Sequence, residues 1–239
     1  MPNSLSGATI AFDLDGTLVD TAPDLIGALN VVLGECRLPH LPLQSARHLV
    51  GRGARRMIEQ GFTEAGEPLD PDHAAGLTTR FIEIYRSRIA SESRPFPGLL
   101  QALDELEAAG ARLCVCTNKL TGLSLELLDA LELTPRFAAI VGADKAPAIK
   151  PDPRHIFAAV EAAGGDPNRA LMVGDSHNDV AAAKAAEVPV VLVSFGYTET
   201  PPSELGGDIL IDHYAELPAA VERLLNGGGA IYEPGAASS

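Results

Sequence analysis

Basic residues are scarce in this chain. Its 239 residues include 18 Lys and Arg against 32 Asp and Glu, for a formal charge of -14. A surface of that sign repels nucleic acids and anionic membranes, so we expect neither as a partner. A small anionic substrate remains compatible with this charge only if a metal ion and a few basic side chains reverse the field locally.

Cysteines are also few, namely Cys36, Cys114 and Cys116, and none has the CxxC spacing of a zinc or redox site. Cys114 and Cys116 share one face of an apolar run, where cysteine behaves as a small hydrophobe. No apolar stretch reaches membrane-spanning length, and the first residues lack a basic region followed by an apolar core. We therefore expect a cytoplasmic protein with reduced thiols.

Short β-branched runs alternate with longer helical stretches along most of the chain. This alternation predicts βαβ units, and therefore an α/β fold built on a parallel sheet. The predicted strands are Ala8–Phe12, Arg112–Thr117, Ala138–Val141, Ala170–Val173, Val190–Val193 and Ile209–Ile211.

One region departs from this alternation, because from Asp20 to about Glu92 the pattern is helical and is interrupted only by prolines and glycines. It predicts an inserted helical domain over 20–93, with a catalytic core formed by 1–19 and 94–225. Two prolines and a glycine within 94–98 indicate a stiff crossing between the two parts. The remaining segment, 226–239, is rich in glycine and small residues and is predicted to be a mobile tail.

Asp13 and Asp15 end the first predicted strand. Residues at i and i+2 of a strand point to the same face, so both carboxylates are directed at one small volume. Their repulsion is relieved if a cation lies between them or if one carboxyl is protonated, and both situations suit phosphoryl chemistry. A solvated acidic loop or part of a calcium site would explain the pair equally well.

Other predicted strands also end in polar residues. Thr117 and Asn118 follow the second core strand, Asp175 and Asp179 follow the fourth, and Lys150 precedes a proline between them. Ligands of open α/β sheets bind beyond the carboxyl ends of the strands, so these side chains are candidates for one site. Taken singly, each has a simpler explanation as a helix cap or a solvated lysine.

Together these motifs resemble the haloacid dehalogenase superfamily of phosphatases, which form an aspartyl-phosphate. The resemblance runs from about Ile10 to Val193. It implies a Rossmann-like, three-layer α/β/α core with an inserted all-helical cap domain. Within the superfamily the chain is most similar to the phosphoglycolate phosphatases, through the segments Phe12–Thr21 and Val50–Ala54.

The resemblance also implies a role for each motif residue. Asp13 would be the nucleophile, and Asp15 the general acid and base. Mg²⁺ would be held by the carboxylates of Asp13 and Asp175 and by the backbone carbonyl of Asp15, while Asp179 would orient a metal-bound water or Lys150. Thr117, Asn118 and Lys150 would contact the phosphoryl group, with Asn118 acting through its backbone N–H.

Substrate choice is expected to come from the cap. Four arginines, Arg47, Arg52, Arg55 and Arg56, fall close together in a chain that is otherwise poor in positive charge. Arg52 lies between two glycines, so its guanidinium could hold a substrate carboxylate in a bidentate pair. Arg55 and Arg56 continue a helical pattern and are predicted to be solvated and salt-bridged.

The resemblance thus predicts a Mg²⁺-dependent phosphomonoesterase acting on a small phosphorylated metabolite, with 2-phosphoglycolate the first choice of substrate. A broader sugar-phosphate or nucleotide phosphatase, or a β-phosphoglucomutase, would keep every core residue. A metal-free dehalogenase would need neither Asp15 nor Asp175. A phospho-accepting receiver-like domain uses similar groups, but it is about half as long and has no helical insertion. Monomer and homodimer remain equally open.

Overall fold

The computed structural model describes residues 4–227, which form a parallel sheet, its flanking helices and a helical insertion. The strands are β1 Thr9–Phe12, β2 Val19–Asp20, β3 Arg94–Pro95, β4 Arg112–Cys116, β5 Ala139–Val141, β6 Ala170–Gly174, β7 Val190–Val193 and β8 Ile209–Ile211. Six of them form one sheet in the order β5-β4-β1-β6-β7-β8. All six predicted core strands are therefore confirmed, with ends that differ by one residue at most.

β1 lies in the middle of the sheet, between β4 and β6. Its Ile10 pairs with Leu113 on one side and with Leu171 on the other, both in parallel register. The chain therefore leaves β1 towards one half of the sheet and later returns to build the other half. A crevice forms at the carboxyl end of the strands where the order reverses in this way, and β1 opens into it.

Helices cover both faces of the sheet, as the predicted three-layer architecture requires. They are α5 Leu99–Ala108, α6 Thr121–Ala130, α7 Arg154–Ala162, α8 His177–Ala185 and α9 Leu217–Leu225. Ile10 and Phe12 pack with α5, α6 and α9, whereas Ala11 faces α7 and α8. Cys114 and Cys116 lie together on the α7 and α8 side, as the alternation predicted.

The insertion consists of the helices α1 Ala22–Glu35, α2 Leu43–Ala46, α3 Ala54–Glu64 and α4 Pro71–Ser87. Its apolar residues form a cluster that is largely their own, with Leu29, Ile58 and Phe81 among the buried members. Leu123 and Tyr197 of the core also join this cluster. The cap therefore packs onto the core through a small number of apolar contacts.

The two crossings between core and cap pair with each other. Val19 pairs with Pro95 and Asp20 with Arg94, so β2 and β3 form a short antiparallel ribbon. The fully buried carboxylate of Asp24 braces this ribbon, because it accepts hydrogen bonds from the backbone N–H groups of Glu92 at 2.9 Å and Ser93 at 2.8 Å. The sequence predicted a stiff crossing, whereas its pairing with the first crossing is a long-range contact.

No helix within residues 4–227 is long and apolar enough to cross a membrane. The predicted tail, 226–239, lies outside the described residues except for Asn226 and Gly227, which follow the last helix.

Candidate active site

The polar residues that follow the strands meet at one edge of the sheet. Asp13 and Asp15 follow β1, Thr117 follows β4 and Asp175 follows β6. Lys150 comes from the loop between β5 and α7. All five are buried, although the strands that carry them are far apart in the sequence. The parallel sheet accounts for this convergence, because its strands all end at the same edge.

Lys150 is the central cation of this group. Its Nζ lies 3.0 Å from Asp13 Oδ1 and 2.6 Å from Asp179 Oδ1, and the residue is only 2% exposed. Burial by itself would lower the pKa of Lys150, but the two carboxylates outweigh burial and raise it. Lys150 is therefore charged whenever the carboxylates are.

Asp175 is held from two sides. Thr17 Oγ1 donates to its Oδ1 at 2.9 Å, and the Tyr197 backbone N–H donates to its Oδ2 at 2.6 Å. Gly16 makes this approach possible, since its φ is +86° and a Cβ there would lie 2.5 Å from Asp175 Oδ2. Gly16 of the first motif therefore leaves the space that the Asp175 carboxylate of the last motif occupies.

Asp179 has both carboxylate oxygens engaged. Besides accepting from Lys150 through Oδ1, it accepts from the Ser176 backbone N–H at 3.0 Å and from Ser176 Oγ at 2.6 Å through Oδ2. This forms a capping box at the start of α8. The Asp179 carboxylate therefore holds the Lys150 ammonium, whereas the other implied role, orienting a metal-bound water, stays a prediction.

The site carries more negative than positive charge. One carboxylate oxygen each from Asp13, Asp175 and Asp179 lie within 4.8 Å of one another. Burial raises the pKa of Asp13 to about 6 against the pull of Lys150. Burial, followed by the charge of Asp179, raises the pKa of Asp175 well above its usual range. Three carboxylates facing one ammonium form a site that a cation would stabilise.

Asp15 is turned away from this cluster. Both of its carboxylate oxygens contact the Nζ of Lys119, at 3.0 and 3.1 Å, and Lys119 Nζ in turn lies 4.4 Å from the ring centre of Tyr85 in the cap helix α4. The carboxyl of Asp15 is thus kept away from the other acids, consistent with the implied use of its backbone carbonyl alone.

Lys119 is a functional candidate that the sequence reasoning missed. It follows Thr117 and Asn118 directly, yet a lone lysine after a strand is usually solvated. The ion pair with Asp15 links positions 104 residues apart. The sequence does contain a signal for Lys119: it is a second lysine in a chain poor in basic residues, and it follows the same strand as Thr117 and Asn118.

The side-chain amide of Asn118 binds the loop that carries Lys150. Its Nδ2 donates to the Lys150 backbone carbonyl at 3.0 Å, and its Oδ1 accepts from the Lys150 backbone N–H at 2.9 Å. The side chain thereby anchors Lys150 next to β4. Thr117 is buried beside it and accepts from the Lys119 backbone N–H at 3.2 Å.

A cleft of about 390 Å³ opens above these residues, between the core and the cap. Arg52, Arg55 and Arg56 all line it. Arg52 Nη2 lies 3.4 Å from Glu199, and Arg55 forms the predicted exposed salt bridge, with Glu59 at 2.8 Å. The expectation for Arg56 is met only in part, since it is exposed but forms no ion pair within residues 4–227.

Arg47, the fourth arginine of the cap cluster, does not line the cleft. Its Nη2 binds Asp20 Oδ1 at 3.0 Å, and its guanidinium lies 4.9 Å from the ring centre of Tyr197. It braces the junction of cap and core.

Comparison with known proteins decides the family. The model of the haloacid dehalogenase-like hydrolases matches residues 10–193. This chain belongs to that family. A phosphoglycolate phosphatase from Caulobacter vibrioides is 58% identical over 223 residues, which cover 93% of this chain and 94% of that protein. The predicted membership is confirmed, and the chain is a phosphatase of the phosphoglycolate phosphatase type rather than a receiver-like domain.

Solved structures of the family share the fold. A predicted phosphoglycolate phosphatase from Haemophilus somnus is 30% identical with a TM-score of 0.82, covering 90% of this chain and 98% of that one. CbbY from Rhodobacter sphaeroides, solved with xylulose-(1,5)bisphosphate, is 26% identical with a TM-score of 0.73, covering 88% and 96%.

The Asp15–Lys119 pair makes a stability prediction. Both side chains are less than one-tenth exposed, so Lys119→Met leaves a buried carboxylate without its cation. We expect this change to lower the free energy of unfolding by about 3 kcal/mol. Urea denaturation of the metal-free protein measures the loss.

The double variant Asp15→Asn/Lys119→Met separates the charge effect from the change in packing. It should recover most of the loss, because no charge is then left unpaired. If the losses in the free energy of unfolding of Asp15→Asn and Lys119→Met, measured singly, add up to the loss of the double variant, the ion pair contributes nothing to stability.

Proposed function

We propose that this phosphatase hydrolyses small phosphomonoesters, 2-phosphoglycolate foremost, through an aspartyl-phosphate formed on Asp13. The observation that carries the proposal is the placement of the two motif aspartates. Asp13 lies within the cluster of Lys150, Asp175 and Asp179, whereas Asp15 is held apart by Lys119 beneath the cap. One carboxylate is thus available to the phosphorus and the other to the leaving group.

Asp13 attacks the phosphorus in line, which divides one difficult displacement into two easier steps. With a pKa of about 6, it is largely ionised at neutral pH. Lys150, 3.0 Å away, offsets the charge that spreads over the transferred phosphoryl oxygens. Thr117 and the backbone N–H groups near Leu14 and Asn118 complete this stabilisation.

Asp15 moves the protons. It donates one to the departing alkoxide and later takes one from the water that cleaves the phosphoenzyme. Lys119 contacts both carboxylate oxygens of Asp15, at 3.0 and 3.1 Å, and so holds this carboxyl beneath the cap, apart from Asp13.

The donor set fits Mg²⁺. Asp13 and Asp175, with the backbone carbonyl of Asp15, offer the hard oxygen ligands that this ion prefers. Burial is the main cause of the raised pKa of both carboxyls, and the nearby charge of Asp179 raises them further, so a cation between them would favour their ionised forms. When bound, the ion supplies positive charge that reduces repulsion between these carboxylates and an incoming phosphate.

The cap arginines support an anionic substrate. Arg52 is held only loosely, 3.4 Å from an exposed Glu199, so a substrate carboxylate can compete for its guanidinium. Arg56 lines the same cleft and is a second partner for that carboxylate. The name of the Caulobacter relative, phosphoglycolate phosphatase, points to the same substrate.

A sugar phosphate is the second candidate. It is favoured by the likeness to CbbY, which was solved with a pentulose bisphosphate, and by the size of the cleft. Phosphate release from a panel of small phosphomonoesters would rank the two. Conversion of β-glucose 1-phosphate into glucose 6-phosphate, rather than into free phosphate, would instead indicate a mutase.

The nucleophile assignment predicts the behaviour of Asp13→Asn. The amide keeps the size of the carboxylate but cannot form the phosphoenzyme, so kcat for 2-phosphoglycolate should fall by a factor on the order of 10⁴ or more. Phosphate release measures turnover, and calorimetry with inorganic phosphate tests whether the site still binds. The control is Asp129→Asn, an exposed acid on α6. Substantial turnover by Asp13→Asn would refute the mechanism.

Metal binding predicts a pH-dependent stabilisation. The pKa of Asp13 is raised to about 6 in the folded protein, so the protonated form of this carboxyl favours folding. Its contribution to stability is complete below about pH 4 and is lost as the pH rises through about 6. The raised pKa of Asp175 has an effect in the same direction. Mg²⁺ should therefore raise Tm more at neutral pH than at about pH 5, where protons compete for the ligands. Thermal scans with and without Mg²⁺ measure the difference. In Asp175→Asn most of the gain should disappear.

Carboxylate recognition predicts a substrate-dependent effect of Arg52→Ala. Loss of a charged hydrogen bond should reduce kcat/KM for 2-phosphoglycolate at least about tenfold more than for ethyl phosphate, which has no carboxylate. Arg56→Ala measured alongside shows which guanidinium binds. Arg80→Ala, which removes a cap arginine paired with Glu35, is the control. Equal losses for the two esters would rule out carboxylate recognition.

A further inference from the structure

We propose that the cleft also takes phosphomonoesters of alcohols with an apolar body of about four to six carbon atoms, and that the enzyme hydrolyses them. This substrate class goes beyond the proposed function and rests on it only in using Asp13 and Asp15 as the reacting pair. The bond between phosphorus and the alcohol oxygen breaks as the bond to Asp13 forms, and the alkoxide takes the proton of Asp15. Water then releases phosphate from Asp13.

The cleft is large for a two-carbon substrate. Its volume of about 390 Å³ falls in the range of pockets that enclose drug-sized ligands. 2-Phosphoglycolate consists of a phosphate, a methylene and a carboxylate, and the phosphate belongs at the floor of the cleft. Space for a longer alcohol therefore remains between the floor and the mouth.

The walls of this space are apolar. Polar side chains lie at the floor, around Asp13 and Asp15, and along the arginine segment of the cap. Between them the lining is mainly aliphatic and aromatic, from both cap and core: Leu25, Phe81, Ile82, Leu120, Leu123 and Ile149. Thr78 of α4 is the polar exception, and its hydroxyl donates to the Ala74 backbone carbonyl at 2.7 Å. Such walls offer a sugar or a small acid few hydrogen bonds, whereas they favour a hydrocarbon chain.

The apolar wall begins next to the leaving group. Asp15 protonates the departing oxygen, Lys119 holds Asp15, and the ring of Tyr85 covers Lys119 at 4.4 Å. Phe81 lies one helical turn before Tyr85, with the two rings nearly parallel and their centres 6.3 Å apart. The carbon chain that follows the departing oxygen therefore leads along the face of α4.

Apolar exposure at the mouth supports the same conclusion. Within residues 4–227 only five large hydrophobic side chains are exposed, and two of them, Leu120 at 41% and Ile149 at 48%, line this cleft. Ile82 of the cap lines it with them. Exposed apolar residues gathered at a concave site are typical of a binding surface. An alkyl chain of the substrate that reached these side chains would remove them from water.

The test is the series ethyl, butyl and hexyl phosphate, assayed by phosphate release with the full-length enzyme and Mg²⁺. The three alcohols have similar basicity, so the chemical step stays nearly constant while the buried hydrocarbon grows. Each methylene group that becomes fully buried raises kcat/KM about fourfold, and the rise from ethyl to hexyl phosphate is at least about tenfold. A flat or falling series overturns the proposal.

Variants locate the effect. Leu120→Ser and Ile149→Ser should each reduce the ratio of kcat/KM for hexyl phosphate to that for ethyl phosphate by about threefold or more. Both residues are exposed, so the fold tolerates the change. Leu100→Ser is the matched control, because Leu100 is 52% exposed and does not line the cleft. A ratio that stays unchanged in both cleft variants overturns the assignment of these walls.

2-Phosphoglycolate, assayed alongside, separates this proposal from the preceding one. If 2-phosphoglycolate is hydrolysed and kcat/KM does not rise from ethyl to hexyl phosphate, only the apolar substrate class is refuted. A rising alkyl series without hydrolysis of 2-phosphoglycolate supports the apolar class and refutes the proposed substrate. Failure of every ester refutes both.

Discussion

The rest of the site depends on the burial of the Lys150 ammonium between Asp13 and Asp179. Two carboxylates compensate this cation, and the cation in turn reduces the repulsion between the two acids. Its backbone is paired with Asn118, while Asp179 is fixed by the first turn of α8. The position of the candidate nucleophile is therefore set by a lysine and an acid that come from other parts of the chain.

Charge separation inside the cleft follows from this arrangement. Because Lys150 is shared by Asp13 and Asp179, Asp15 takes its own cation, Lys119. The two motif aspartates thus have different partners and are suited to different chemistry, although they alternate on one short segment. Tyr85 of the cap covers Lys119, so the Asp15–Lys119 pair lies where the cap meets the core.

Much of the fold could be predicted because the hydrophobic pattern within each short segment indicates whether that segment is a strand or a helix. Fully buried parallel strands appear as continuous apolar runs, as in Val190–Val193, and the carboxyl ends of such strands meet at one edge. The sequence therefore predicts one site for Asp13, Thr117 and Asp175, which follow strands, together with Lys150 from the loop between β5 and α7. The helical insertion was visible for the same reason, since strand periodicity is absent between the two crossings. The pairing of these crossings had no local signal.

The sequence by itself determined the sheet, the insertion and the set of groups at the strand ends, because these features follow from periodicity and from short motifs. Only the tertiary structure decided which acid pairs with which lysine, that Asn118 anchors the Lys150 backbone, and that α4 places the ring of Tyr85 above Lys119. These are contacts between side chains far apart in the chain. Their geometry arises from the packing of whole elements, and a pattern within one element carries no information about it.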